Sequence, residues 1–204
     1  MARDAAQAVN SYISDMLALE DEFEKALSVQ VQDLEQDSPE VANQLRRIHD
    51  LCELHIRNLK DILERRDPAP SRGLADAVKR AGSILAGIGA AAINVMRTEK
   101  LPKNLRDDFT AMNLGAIGYT MLYTTAKSLN EHTVADVAQR HLRDYAEAVM
   151  VLHNLIPGAV VRFLQDDGLP ATAEVLPEVH RTLEDIWRSV SVTPAGSGHP
   201  GFNR

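Results

Sequence analysis

The spacing of apolar residues is the strongest constraint on what this chain can fold into. Between Ala5 and Gln36, the residues Val9, Ile13, Met16, Phe23, Leu27 and Leu34 fall on one stripe of a helix. Val41, Leu45, Ile48, Cys52, Leu59 and Leu63 repeat the pattern from Pro39 to Arg66. No segment alternates apolar and polar residues over a useful length, so no sheet is expected. Punctuation divides the rest. Ser38-Pro39-Glu40 supplies a cap followed by proline at the first helical position, and Asp67-Pro68-Ala69-Pro70 stops the second helix. Ser71 caps a third, from about Arg72 to Thr98. A short break at Leu101-Pro102-Lys103 precedes a fourth, Leu105 to Leu129. A fifth runs from Thr133 to Leu155, with a possible extension past Pro157-Gly158 to Leu164. After the break at Asp166 to Pro170, a final amphipathic helix from Ala171 to Val190 carries Val175, Val179, Leu183, Ile186 and Trp187.

Two helices of about 28 residues, a helical connector and two more of about 25 are the arithmetic of an antiparallel four-helix bundle. Composition agrees, because aromatics make up only 4% and Ala, Leu and Val fill the seams. The expectation is all-α: one bundle domain over residues 1–190 with a helical crossover and an extra C-terminal helix. Residues 191–204 read as a flexible tail. The net charge of −7 argues against nucleic acid, which needs a basic surface, and Arg46, Arg47 and Arg57 read as a solvated helix face. The single Cys52 cannot form an internal disulfide and reads as a small buried hydrophobe. The N-terminus lacks the basic-then-apolar order of a signal peptide. The uncharged stretch Ala81 to Met96 is 16 residues long, short of the roughly 20 that a membrane span takes. A cytoplasmic protein without a membrane span is the default expectation.

The segment from Met16 to Leu27, MLALEDEFEKAL, resembles the first helix of the YciE/YciF branch of the ferritin-like superfamily. The segment Gly118 to Leu129, GYTMLYTTAKSL, is similar to that family's third bundle helix, and Val137 to Leu152 sits where its fourth would begin. The resemblance spans roughly residues 10–65 and 105–165. It implies a ferritin-like bundle, a bacterial stress or storage setting, and a di-iron site inside the bundle. In such sites two helices each give a Glu, and two more give a Glu with a His three residues on. That spacing puts both side chains on one helix face, and the carboxylates hold and bridge the metals.

Glu20 lies on the apolar stripe between Met16 and Phe23, where a carboxylate needs a reason to be. Three readings stand: a buried carboxylate bonded to a neighbouring Tyr, His or Arg, a residual metal ligand, or a rim position. His55 lies on the inner stripe of the second helix and His49 flanks it, but the residues three before them are Cys52 and Arg46, so Glu-x-x-His is absent. His141 and Asp144 lie on or near the inner stripe of the fifth helix, with Glu147 one turn on. The fourth helix breaks the pattern: the 22 residues from Phe109 to Asn130 contain no Asp or Glu, leaving Asn113 and Tyr119 as polar substitutes.

Two functions follow. The first is a structural or binding module that has lost di-iron chemistry and carries no cofactor. The second is an iron or manganese oxidase or ferroxidase with Glu20, His49, His55, Asp144 and Glu147 as its metal set. Small residues at every fourth position (Ser83, Gly87, Ala91; Gly82, Ala86, Ala90) allow close helix packing, either within the protomer or across a homodimer. The tail is a possible contact for a protein partner. No phosphate loop, nucleophile elbow or cysteine pair for zinc is present.

Overall fold

The computed structural model describes residues 4–66 and 100–191. Within them the chain is all-α, with five helices and no strand. These are α1 (Ala5–Leu34), α2 (Pro39–Arg66), α3 (Lys100–Ser128), α4 (His132–Asp166) and α5 (Leu176–Ser191), with a 3-10 turn at Ala173–Val175 before the last. The expected third helix, the stop at 67–70, the small-residue ladder, the 81–96 stretch and nearly all of the tail lie outside the described residues.

Local chemistry sets the helix ends. Asp4 caps α1 by accepting from the Ala6 amide. Pro39 opens α2, and the Ser38 carbonyl takes the Ala42 amide at 2.9 Å. At the end of α3, Asn130 adopts a left-handed φ of 59°, while the Glu131 amide reaches back to the Ala126 carbonyl and the Asn130 amide to that of Lys127. That pairing absorbs carbonyls the helix leaves unmet. Gly168 ends α4 in the same way, with a φ of 77° and the Leu169 amide on the Leu164 carbonyl. Thr172 caps the 3-10 turn through the Glu174 amide.

One expected break is absent. Pro102 does not precede α3 but sits in its first turn, where amides have no intrahelical partner and a missing one costs nothing. Pro157 likewise lies inside α4 without ending it.

Cross-helix contacts fix the helix directions. Asn10 meets Arg66, Glu20 meets His55, Glu24 meets His49, and Glu35, just past α1, meets Arg46, so α1 and α2 run antiparallel. Phe109 faces His153 and Tyr119 bonds His141, which sets α3 against α4 in the same sense. Gln30 with Asp108 and Glu20 with Tyr119 make α1 antiparallel to α3, and His55 with Asp144 and Asn58 with His141 do so for α2 and α4. Buried stripes line these faces at three-to-four spacing: Leu105, Met112, Tyr119, Leu122 and Ala126 on α3, and Ala138, His141, Tyr145, Ala148 and Leu152 on α4. On α2, Ala42 and Ile62 are buried where Val41 and Leu63 were expected, while Leu34 of α1 is half-buried.

The chain falls into two compact units, Met1–Leu155 and Ile156–Arg204. In the second, Val179 and Leu183 are half-buried, while Val175, Ile186 and Trp187 are exposed. Among the described residues α4 is the one helix long and apolar enough to cross a membrane by length and composition. Its N-terminal part carries three polar side chains of the site described next.

Candidate functional site

From Met16 to Glu20 every side chain of α1 is buried, so this stretch is surrounded on all sides and Glu20 has no exposure at all. A carboxylate in such a place is unfavourable unless each oxygen finds donors. Here both do. Oε1 accepts from the Tyr119 hydroxyl at 2.5 Å and faces His55 Nδ1 at 2.9 Å, while Oε2 accepts from the Tyr145 hydroxyl at 2.8 Å. The donors come from α3, α2 and α4, so the four described helices α1 to α4 meet at one acid.

The network continues outward. His55 Nε2 lies 3.0 Å from Asp144 Oδ2, and Asp144 is 30% exposed. On the other side His141 Nδ1 lies 3.0 Å from the Tyr119 hydroxyl, and Asn58 Nδ2 lies 3.1 Å from His141 Nε2. The donor inventory leaves one consistent set of hydrogens. Asn58 Nδ2 can only donate, so His141 Nε2 accepts. His141 Nδ1 then carries the hydrogen and donates to the Tyr119 oxygen, whose own hydrogen goes to Glu20. His55 faces a carboxylate from each nitrogen and holds hydrogens on both.

Electrostatics agree with that assignment. Burial opposes charge on His55, but its contacts with Glu20 and Asp144 outweigh burial and raise its pKa. Burial, and then the nearby charges of His55 and Arg140, bring His141 down to about 2. One ring is thus an imidazolium and the other neutral, which permits their stacking at 3.8 Å between centroids and 17° between planes. Burial first and the Glu20 charge second push the Tyr119 and Tyr145 hydroxyls well up, so both remain hydrogen donors. Burial does the same to the Cys52 thiol and leaves it protonated and inert.

Gly115 makes room for this arrangement. A Cβ there would strike the Tyr145 ring, 2.7 Å from Cδ1 and Cζ. Gly118 meets Met16 in the same manner. Beside the network, Ile48, Cys52, Met112, Asp144 and Tyr145 border a pocket with about 10 Å³ of room, enough for about one water and not for an organic substrate.

Of the five residues expected around a metal, three come together: Glu20, His55 and Asp144. His49 does not join them; its Nε2 faces Glu24 at 3.0 Å. Glu147 is exposed on α4, outside the network. Of the substitutes on α3, Tyr119 is in the network, whereas Asn113 donates to the Phe109 carbonyl of its own helix. Sequence reasoning missed Tyr145 and Asn58. Tyr145 follows His141 by four residues and Asn58 follows His55 by three, so a search one helical turn beyond each histidine would have found both.

A di-iron centre does not fit the donors found among the described residues. Such a centre draws on four carboxylates, and the cluster holds one buried carboxylate and one half-buried. The position on α3 is a tyrosine, and both oxygens of Glu20 are already engaged. A single ion is geometrically simpler, since ligand atoms of Glu20, His55 and His141 lie within 4.8 Å of one another.

No family model, no curated protein and no solved structure matches the chain.

Proposed function

We propose that the protein is a ferritin-like helical-bundle module in which a self-satisfied hydrogen-bond network replaces di-iron chemistry. The helix directions support the bundle reading: α1 and α2 oppose each other, as do α3 and α4, while α2 and α3 run parallel. A parallel pair needs a connection that travels its whole length, as the ferritin-like plan provides. The observation that carries the functional reading is the occupancy of Glu20: three protein donors fill its two oxygens, and one is the tyrosine that α3 brings in place of a carboxylate. The role that remains is structural or binding, in the bacterial stress or storage setting that the resemblance implies; a homodimer is the reading of the small-residue ladder, and a cytoplasmic location is the default.

Elemental analysis after purification from iron-supplemented medium tests this. The native protein and Glu20→Ala, with Glu20→Gln as the milder change, are expected to carry the same metal content. The second reading, iron or manganese bound at Glu20, His55 and His141, rests on the short separation of those ligand atoms. It requires about one equivalent per chain in the native protein, absent from both variants. That result would overturn the leading proposal.

A further inference from the structure

We infer that Glu24, His49 and Glu53 form a binding site for a divalent first-row transition ion such as Zn²⁺, at the rim of the α1–α2 pair. This inference is independent of the function proposed above. His49 and Glu53 stand four residues apart on α2 and share one face, and Glu24 reaches them from α1. One ligand atom from each lies within 4.8 Å of the other two. His49 is 17% exposed and Glu24 26%, so an ion could arrive from solvent without the bundle opening. Three protein ligands leave a fourth position for water, the pattern of an open zinc site.

The surroundings of His49 point the same way. Its Nε2 faces Glu24 Oε1 at 3.0 Å and its Nδ1 faces Asp50 Oδ1 at 3.4 Å. A neutral ring has one N–H and cannot serve both oxygens. If Nδ1 donates to Asp50, the Nε2 lone pair is set against a carboxylate, and a cation between them removes the conflict. A carboxylate behind the imidazole is the usual outer partner of a metal-bound histidine. Three acids, Glu24, Asp50 and Glu53, lie about this one ring. The competing cation is Arg57, whose Nη1 lies 3.6 Å from Glu53 Oε2 in an exposed pair that an ion readily displaces.

The test is calorimetric titration of Zn²⁺ into the full-length protein after dialysis against EDTA. About one equivalent is expected to bind, with Mn²⁺ weaker as the usual order of divalent affinities requires. His49→Ala and the exposed-site variant Glu53→Gln should each lose at least about tenfold in affinity, and Asp50→Asn should lose less. Glu20→Gln should bind Zn²⁺ as the native protein does. Circular dichroism confirms that each variant is folded. The inference fails if no Zn²⁺ binds at millimolar concentration, or if His49→Ala and Glu53→Gln both bind like the native protein. It also fails if Glu20→Gln alone abolishes binding, which would place the ion in the buried centre.

Discussion

Asp108 shows what an incompletely satisfied acid does, in contrast to Glu20. It is buried on α3, and its Oδ1 accepts from Gln30 Nε2 at 2.8 Å. Among the described residues its Oδ2 and the Gln30 Oε1 find no hydrogen-bond donor. Burial, only partly opposed by the Gln30 bond, pushes its carboxyl up to about 7. A proton on Oδ2 turns one orphaned acceptor into a donor, so the neutral acid suits this site. The sign of the stability effect follows. An unfolded Asp titrates near 3.9, so between about pH 4 and 7 the native state holds a proton that the unfolded chain has released. Stability therefore falls as pH rises through that window and levels off above it. Urea midpoints measured from pH 4 to 8 should show this decline, and Asp108→Asn should flatten it. An equal slope in the variant would mean that another group is responsible.

At the scale of the helix, Gly115 is the position where backbone and site depend on each other. Gly115→Ala should gain roughly 1 kcal/mol of helix propensity and lose more, because the methyl overlaps the Tyr145 ring. The net effect on stability is expected to be a loss of about 1–2 kcal/mol by chemical denaturation. An unchanged or raised midpoint would show that α4 can retreat freely. Elements of this kind were largely legible in the sequence. Pro39 marked the start of α2 because its fixed φ and missing amide suit only a first turn. The same chemistry was misread at Pro102, since proline in a first turn and proline in a loop look alike without the helix that follows. The absence of acids from Phe109 to Asn130 was visible and mattered, and so was the oddity of Glu20. The partners of Glu20 were harder to read. A helical stripe fixes which face a residue occupies but not its level against a neighbouring helix, and fewer than two turns separate His55 from His49. Whether Tyr119 or Asn113 turned inward was decided by the register of α3 against α1, which no local pattern encodes.

For the whole molecule, the polar centre ties the first unit together in a way its aliphatic seams do not. Arg66 adds a second fastening near one end. It donates to both oxygens of Glu131 at 2.6 and 2.8 Å and to Asn10 at 2.7 Å, so the α3–α4 turn is bound to α1 and α2. Breaking a fully buried pair such as Glu20–His55 by removing one partner typically costs about 3–5 kcal/mol, because the survivor stays buried and bare; the partly exposed Arg66–Glu131 pair contributes less. Both fastenings cross between the two hairpins. The α1–α2 hairpin owns the Glu20–His55 pair but lacks the hydroxyls that complete it, and the α3–α4 hairpin owns those hydroxyls but no acid to receive them. Each half is therefore a lock without its key. Residues 1–66 and 100–204 produced as separate polypeptides should each be largely unfolded by circular dichroism, and should regain helicity together on mixing. Such a split pair would work as a complementation reporter, its reassembly dependent on a single buried acid at the join.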